Sequence, residues 1–418
     1  MNKVKLGEIL SVKHGWAFKG EFFAEKGEQS ILTPGNFWEK GGFKPNSGRE
    51  RYYTGTYPEE YLCHKGDLIV AMTQQAEGLL GSTALVPDDN KYLHNQRIGL
   101  ITCDGRYLNK LYAYYLFMTK SVREQLERSS SGTKVKHTSP EKIYDVEVEI
   151  PDISLQKKIA NLLWSIDRKI DNNDKINDNL EQQLTTLYDY WFTQFDFPDK
   201  NGKPYQTSGG NMSMNPILKR NIPKNWCVQS VYSNRLSSII KPGVERFDTK
   251  TYLATADVKG TSISAGTLID YENRESRANM QPSVNSVWFA KMKNSIKHLY
   301  LNKEMLPIIS SSILSTGFCG LQCNEMSFEY IASYISNSYF EIHKDMLAHG
   351  ATQEAVNNDD LIGIHLVIPD DRVLHAYHNI AQPIYAQISK NICENQELIK
   401  LRDWLLPMLM NGQATISD

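Results

Sequence analysis

Residues 154–195 read SLQKKIANLLWSIDRKIDNNDKINDNLEQQLTTLYDYWFTQF and contain neither proline nor glycine. From Ile159 to Trp191, apolar and asparagine side chains recur at alternating spacings of four and three residues. This heptad spacing predicts one long helix with a continuous seam for a partner helix. Asn173 and Asn177 take neighbouring seam positions. Buried amides at a seam fix the register of paired helices, and the alternative is that these side chains tilt toward water.

The same pattern returns 218 residues later. SGTKVKHTSPEKIYDVEVEIPD (131–152) aligns without a gap with HGATQEAVNNDDLIGIHLVIPD (349–370), and the match continues into the helix that follows each strand. The two seam asparagines return as Asn391 and Asn395. The chain is therefore predicted to be a tandem duplication, in which each half consists of a globular region, a strand and a long helix.

Chain order indicates how the two helices pair. The second globular region leaves the end of the first helix and enters the start of the second, and the termini of a domain tend to lie close together. The helices should therefore pair antiparallel, with Asn173 facing Asn395 and Asn177 facing Asn391. We predict an α+β fold in which two α/β globular domains lie at opposite ends of an antiparallel coiled coil of two long helices, as a pseudo-twofold tandem repeat.

The segment after the first helix has a different composition. FPDKNGKPYQTSGGNMSMNPILKRNIPKN (197–225) is rich in Pro, Gly, Ser and Asn, which predicts a linker or extended arm outside any core. The predicted boundaries are 1–150 for the first globular domain, 151–196 for the first long helix, 197–225 for the linker, 226–368 for the second globular domain and 369–418 for the second helix.

Composition and charge exclude some protein classes. The 418 residues contain no apolar run long enough to span a bilayer, and the first residues, MNKVKLGEIL, lack a signal-peptide core, so we expect a cytoplasmic protein. The formal net charge of −2 is unusual for a nucleic-acid-binding protein. However, residues 1–150 hold 20 Lys and Arg against 19 Asp and Glu, and residues 201–368 hold 16 against 14. The acidic excess belongs to the helices, so DNA binding is permitted but should be weak for the chain alone.

The sequence contains no recognised catalytic or metal-binding motif. It has no phosphate-binding GxxxxGK[ST] loop, no HExxH zinc motif and no GxSxG nucleophile turn, and its six cysteines lack metal-ligand spacing. A nuclease-like set, Asp152, Asp167 and Lys169, would have to converge on a divalent ion, but two of these residues fall inside the predicted helix. We expect no catalytic residue and no metal site. The alternatives are a self-contained metal-dependent nuclease and a coiled-coil scaffold that binds other proteins.

Several polar loops are candidates for DNA contact. SSSGTKVKH (129–137) is rich in hydrogen-bond donors, and HGATQ (349–353) takes the same place in the second half. Such loops donate to phosphates, while Gln, Asn, Arg and His side chains contact base edges. Any one of them taken alone is better explained as an ordinary exposed loop, and DNA contact is expected of at least some members of the group. The predicted DNA-binding residues are Lys13, Thr73, Gln74, Gln75, Asn95, Gln96, Arg97, Ser131, Gly132, Thr133, Lys134, Lys136, His137, Lys291, Lys293, Asn294, His349, Gly350, Thr352 and Gln353.

The helical segments resemble one protein family. The first helix block (150–183), WFTQFDFPDKNGKPYQTSGGNM (191–212) and the ending LRDWLLPMLMNGQATI (401–416) are similar to the specificity (S, HsdS) subunits of type I restriction–modification systems. KGDLIVAM (65–72) and SSSILSTGFCGL (310–321) resemble the target-recognition domains of that family. The resemblance covers essentially the whole chain.

This resemblance implies a non-catalytic subunit whose two target-recognition domains each recognise one half of a bipartite sequence in double-stranded DNA, with the helices setting the spacing. It implies two modification (methyltransferase) subunits that bind along the helices and carry S-adenosylmethionine, and restriction/translocase subunits that use ATP and Mg²⁺. No cofactor is expected on this chain. The predicted partner contacts are aromatic side chains beside the seam, and the alternative is that they pack onto the linker or the globular domains. These residues are Tyr188, Tyr190, Phe192, Phe195 and Trp404.

Overall fold

The structure is a computed structural model that describes residues 2–45, 48, 50–74, 76–132, 135–264 and 266–416. The chain forms two compact units: unit 1 is Met1–Arg168 with Lys400–Asp418, and unit 2 is Lys169–Ile399. The α-helices are α1 (Lys110–Leu116), α2 (Lys120–Ser129), α3 (Pro140–Tyr144), α4 (Ile153–Tyr188), α5 (Leu306–Ser311), α6 (Phe328–Ser336), α7 (Ser338–Leu347) and α8 (Asp371–Met410).

The two predicted long helices are α4 and α8, and each contributes residues to both units. Both are shorter than the predicted segments 151–196 and 369–418. α4 ends at Tyr188 and is followed by a π-helical turn, Asp189–Thr193. Within the described residues, no helix is both long enough and apolar enough to cross a membrane.

Both long helices begin directly after the repeated Ile-Pro-Asp sequence because the aspartate caps the helix. The Asp152 carboxylate accepts hydrogen bonds from the backbone N–H groups of Ser154 (2.9 Å) and Leu155 (3.0 Å). Asp370 likewise accepts from the N–H of Val373 at 3.0 Å. A side-chain acceptor at this position satisfies N–H groups that the first helical turn leaves without a partner.

Unit 1 contains two four-stranded sheets and a two-stranded ribbon. Its strands are β1 (Asn2–Lys5), β2 (Leu10–His14), β3 (Phe23–Ala24), β4 (Ser30–Ile31), β5 (Tyr52–Tyr53), β6 (Leu68–Ala71), β7 (Thr83–Leu85), β8 (Tyr92–Leu93), β9 (Ile98–Cys103) and β10 (Glu147–Ile150). The central sheet has the order β2-β9-β6-β7 and is antiparallel throughout. The second sheet has the order β3-β5-β4-β8, in which β4 and β8 are parallel, and β1 pairs with β10.

Unit 2 repeats the central sheet, the strand ribbon and the parallel strand pair of unit 1. Its strands are β11 (Met212–Asn215), β12 (Arg220–Pro223), β13 (Cys227–Ser230), β14 (Ser237–Ile239), β15 (Lys250–Leu253), β16 (Val258–Lys259), β17 (Ser262–Ile263), β18 (Thr267–Ile269), β19 (Ala278–Met280), β20 (Ser286–Ala290), β21 (His298–Leu301), β22 (Ser312–Ser315), β23 (Phe318–Cys323) and β24 (His365–Ile368). The central sheet β14-β23-β20-β21 corresponds to β2-β9-β6-β7, and the ribbon β13–β24 corresponds to β1–β10. The parallel pair β15–β22 corresponds to β4–β8. The predicted duplication and the α+β class are confirmed.

In unit 2, α4 and α8 pair antiparallel through the predicted asparagine layers. The Asn173 amide donates to the side-chain oxygen of Asn395 at 2.9 Å, and Asn391 donates to Asn177 at 2.8 Å. All four side chains are buried. Asn395 also donates to the Asp174 carboxylate at 2.8 Å. Each amide thus has a partner, which specifies one register between the helices.

In unit 1, the contact between α4 and α8 is an ion pair rather than a pair of asparagine amides. Arg402 lies on α8 and donates to the Asp167 carboxylate of α4 at 2.9 Å. Tyr115 of α1 donates its hydroxyl to the same carboxylate at 2.6 Å. Nearby, Ile159 and Leu163 of α4 are buried in the unit 1 core. The long helices are therefore held by polar contacts within each unit, but of different chemistry.

The predicted linker 197–225 is partly structured and contributes to the unit 2 core, which corrects the prediction. Phe197 is buried and stacks on Trp226, with ring centroids 4.8 Å apart, and on Tyr205, with centroids 4.7 Å apart. Ile222 in the β11–β12 hairpin is also buried. Composition alone missed these contacts because a few aromatic side chains anchor a segment whose other residues are polar.

Candidate nucleic-acid interface

The predicted DNA-binding segments of unit 1 lie at one end of its central sheet, which we call the loop end. Because the sheet is antiparallel, β2 and β6 finish where β9 begins. Lys13 lies near the end of β2, Thr73 and Gln74 follow β6, and the turn 95–97 precedes β9. Four segments far apart in sequence therefore converge here once the loop 131–137 is included.

Backbone hydrogen bonds attach this loop to the sheet. Ser131 and His137 exchange two bonds, of 3.0 and 2.8 Å, which close the loop. The N–H of Gln74 donates to the carbonyl of Lys136, and the N–H of Thr138 donates to the carbonyl of Met72, both at 2.9 Å. These hydrogen bonds hold both ends of the loop against the sheet, and we call this set of bonds the base of the loop.

At the loop end of unit 1, some of the predicted side chains have partners within the unit and others are exposed to solvent. Thr73 is buried, and its hydroxyl lies 3.1 Å from Nδ1 of His137. Lys13 pairs with Glu60 at 3.0 Å, and Lys136 pairs with Glu127. The exposed members are Gln96, Arg97, Ser131, Gly132 and His137. Gln75, Thr133 and Lys134 lie outside the described residues.

Asn95 acts within the turn that it begins. Its side-chain oxygen accepts a hydrogen bond from the N–H of Arg97 at 3.1 Å. The carbonyl of Arg97 in turn accepts from the N–H of Met72 at 3.0 Å. Asn95 therefore shapes the turn, which leaves the Gln96 and Arg97 side chains directed to solvent.

The loop end of unit 2 repeats these hydrogen bonds. The N–H of Lys291 donates to the carbonyl of Gly317 at 2.9 Å, matching Met72 and Arg97. The N–H of Lys293 donates to Glu354, and His349 and Ala355 exchange two bonds, matching Gln74 to Lys136 and the Ser131–His137 pair. These equivalences follow the 218-residue offset in the loop. The structure therefore builds the same base in both units.

The side chains placed on the unit 2 base are different. Lys293 pairs with Glu354 at 2.7 Å, and the N–H of Asn294 donates to Asp345 at 3.1 Å. His349 contacts Asn357 at 3.1 Å. Of the remaining predicted residues, Lys291 is half-buried, and Gly350, Thr352 and Gln353 are exposed.

A glycine permits the tight turn of each loop. Gly132 has a φ of +98° and Gly350 a φ of +140°. A Cβ atom at Gly132 would lie 2.1 Å from the carbonyl oxygen of Val135, and one at Gly350 would lie 2.4 Å from that of Gln353. Both positions therefore require glycine for conformation and for space.

Three of the five predicted partner-binding aromatics are buried, which corrects the prediction and agrees with the alternative that they pack onto the globular domains. Tyr188, Phe192 and Phe195 are at most 7% exposed and pack in the unit 2 core, where the ring centroids of Phe192 and Tyr330 are 4.7 Å apart. Of the three, Phe192 lies within the π-helical turn Asp189–Thr193. Tyr190 and Trp404 are 39% and 59% exposed, so their side chains are available for partner contact.

The nuclease-like residues have structural partners instead of a common site. Asp152 caps α4, and Asp167 binds Arg402 and Tyr115. Lys169 pairs with Glu394 at 3.0 Å. Over the part of the chain that the structure describes, no three His, Cys, Asp or Glu side chains are grouped to hold a metal ion.

Comparisons with known proteins agree with this architecture. Residues 1–182 match the family model described as the type I restriction modification DNA specificity domain. Over 326 residues the chain is 26% identical to the type I restriction enzyme MjaIX specificity subunit of Methanocaldococcus jannaschii, covering 73% of this chain and 69% of that protein. Over 408 residues it is 21% identical to the HindI specificity subunit of Haemophilus influenzae, covering 84% and 86%.

A solved structure has the same fold. The crystal structure of a type I restriction-modification system S subunit from M. genitalium aligns with a TM-score of 0.54 and 15% sequence identity. The alignment covers 100% of this chain and 96% of that chain. At this identity the likeness concerns the fold, and it extends over both halves of the duplication.

Proposed function

We propose that this protein, a member of the type I restriction–modification specificity family, recognises a bipartite sequence in double-stranded DNA, with each unit contacting one half. The observation that carries the proposal is that the backbone hydrogen bonds between loop and sheet are repeated in both units, whereas the side chains on the two loops differ. A shared base suits a shared task, and different side chains suit different half-sites. The DNA sequence-specificity role itself agrees with the family match.

In unit 1, the exposed side chains have the chemistry for base recognition. Arg97 can donate two hydrogen bonds to guanine, and Gln96 can pair with adenine. Both are held at the start of β9 by the turn that Asn95 shapes. In unit 2, Thr352 and Gln353 are the exposed candidates, and Lys291 is a candidate for phosphate contact.

The long helices, in this proposal, set the distance between the half-sites and bind two methyltransferase subunits. The asparagine pairs fix one helix register, and a fixed register gives a fixed spacing. Tyr190 and Trp404 are the exposed aromatic side chains proposed for partner contact. S-adenosylmethionine would lie on the methyltransferase subunits, and ATP with Mg²⁺ on restriction subunits, in the cytoplasm.

A selection experiment tests the proposal. The chain, assembled with its methyltransferase subunits, is incubated with a library of randomised duplexes, and bound DNA is sequenced. We expect a bipartite motif, with binding that weakens as salt increases. Arg97→Ala should reduce discrimination at one base by about 1–3 kcal/mol.

Arg106 provides a matched control. It is an exposed arginine just beyond the other end of β9, where it pairs with Asp104 at 2.6 Å. Arg106→Ala should leave the selected motif unchanged. Absence of any enriched bipartite motif with the wild-type complex would contradict the proposed function.

A further inference from the structure

In unit 1, a half-buried arginine binds the loop that follows β6. The guanidinium of Arg123, on α2, donates from Nη1 to the carbonyls of Gly78 (2.9 Å) and Leu80 (2.8 Å). It also donates from Nε to the backbone carbonyl of Phe117 at 2.6 Å and from Nη2 to the backbone carbonyl of Glu39 at 3.4 Å. Burial lowers the pKa of Arg123 to about 10. Arg123 therefore joins the loop 72–82, which carries Thr73 and Gln74, to a helix.

In unit 2, a lysine does the same for the loop that follows β20. Lys344 lies on α7 with its side chain fully buried, and its Nζ donates to the carbonyls of Ala290 (3.3 Å) and Ser295 (3.2 Å). It also donates to the Glu341 carboxylate at 2.6 Å, and Glu341 lies 2.8 Å from Nε2 of His298. The loop held in this way, 291–297, carries Lys291, Lys293 and Asn294.

The two cations occupy different positions of the repeat. With the 218-residue offset, Arg123 aligns with Glu341, and Lys344 aligns with Leu126. The loops also differ in length, since residues 72–82 connect β6 to β7 and residues 291–297 connect β20 to β21. The two loops are thus held by cations at different helix positions, Arg123 on α2 and Lys344 on α7. A cation that donates to several backbone carbonyls holds a loop in one shape, because removing it leaves those acceptors without their donor.

We propose that Arg123 and Lys344 are positioning residues for sequence recognition: each fixes the shape of the strand-following loop in its unit, and thereby the half-site that this unit selects. The inference rests on the proposed DNA-reading function. It assigns specificity to residues that need not contact DNA, since a preorganised loop loses less entropy on binding and keeps its side chains aimed at fixed base positions.

The test measures base preference separately for the two half-sites. The complex with methyltransferase subunits is prepared with Arg123→Met or Lys344→Met, which remove the cation and retain most of the side-chain volume. Library selection should show about a tenfold loss of discrimination at one or more positions of one half-site for the first variant. The second variant should lose discrimination in the other half-site only. Arg123→Lys and Lys344→Arg, which keep a charge, should restore part of each preference and cover the case in which a methionine variant fails to fold.

Core truncations separate positioning from stability. Ile143→Val in unit 1 and Ile335→Val in unit 2 alter fully buried side chains that belong to the hydrophobic cores. They should lower the folded fraction without changing which bases are preferred. If Arg123→Met and Lys344→Met behave like these controls, or if the charge-keeping variants lose as much discrimination as the methionine variants, the inference is overturned while the proposed function stands. If the wild-type complex selects no bipartite motif, both fail together.

Discussion

The loop ends of the two units have the same backbone and different charges. In unit 1 the loop carries a lysine, Lys136, which pairs with Glu127 of α2. In unit 2 the aligned residue is an acid, Glu354, which pairs with Lys293 of the strand-following loop. The hydrogen bonds that connect loop and sheet are nevertheless the same. The two halves of the duplication therefore share the backbone hydrogen bonds that hold the loop and differ in the side chains on it. This is expected if the two units bind DNA in the same way but recognise different half-sites.

The largest loss of stability should come from substitutions near the C-terminal ends of the two long helices, where the two units bury different side chains. Phe192 of unit 2 and Met410 of unit 1 are equivalent in the repeat and are 4% and 3% exposed. Phe192 belongs to an aromatic cluster with Tyr188 and Tyr377. Phe192→Ala should lower the free energy of unfolding by about 3–5 kcal/mol, and Met410→Ala by about 2–3 kcal/mol.

Chemical denaturation of the two variants checks this order. Tyr190→Ala, two residues before Phe192 and largely exposed, is the control and should change stability by less than about 0.5 kcal/mol. An equal loss for Tyr190→Ala and Phe192→Ala would contradict the inward packing of the π-helical turn.

The next effect concerns the polar contacts between the long helices. Asn173→Ala in unit 2 leaves the buried Asn395 oxygen without its donor and should cost about 1–3 kcal/mol, with little dependence on salt. Arg402→Met in unit 1 removes a partly exposed ion pair with Asp167 and should cost about 1 kcal/mol, less at high salt. Urea denaturation at low and high salt distinguishes the two, and identical salt dependence would contradict the assigned chemistry.

A smaller, local effect should follow from the loop glycines. Gly132→Ala and Gly350→Ala each place a side chain at a positive φ and against a carbonyl oxygen, a strain of about 1–3 kcal/mol confined to one loop. Each should weaken recognition of one half-site in library selection, and the two half-sites should differ. Gly105→Ala is the control, because a Cβ there meets no atom within 4 Å. If both variants lost recognition of the same half-site, the assignment of one loop to each half-site would be contradicted.

The smallest effect is a pH dependence from unit 2. Burial, with repulsion from Asp178 and Asp171, raises the pKa of Asp174 to about 6. A raised pKa means that the protonated carboxyl favours folding below about pH 4, and that this contribution is lost as pH rises through 6. Asp174→Asn keeps an acceptor for Asn395 and cannot ionise.

Asp174→Asn should therefore gain stability relative to the wild type as pH increases from 4.5 to 7.5, by about 1 kcal/mol after allowance for partial exposure. Thermal denaturation at both pH values measures the difference, and the pH 4.5 comparison is the internal control. A relative gain toward acid pH would reverse the sign and contradict the account.

The sequence predicted the repeat, the long helices and their register, because heptad spacing and the Asn173 and Asn177 positions are local signals. It also identified the loops 129–137 and 349–353 as equivalent, since they align at the 218-residue offset. It missed the inward turn of Phe192, because the periodicity does not reveal where an α-helix changes to a π-helical turn. It missed Arg123 and Lys344, because their carbonyl partners lie 43 and 49 residues away along the chain and become neighbours only in the fold.

An exchange of units tests the central claim most directly. The N–H of Leu6 donates to the carbonyl of Val146 at 2.9 Å, and the N–H of Val231 donates to that of Ile364 at 2.8 Å, so these pairs mark equivalent boundaries. A chain with residues 231–364 replaced by residues 6–146 is assembled with the proposed methyltransferase subunits and used in library selection. If each unit recognises its own half-site, the selected motif will contain the unit 1 half-site twice. Retention of the wild-type motif by the exchanged chain would contradict the account.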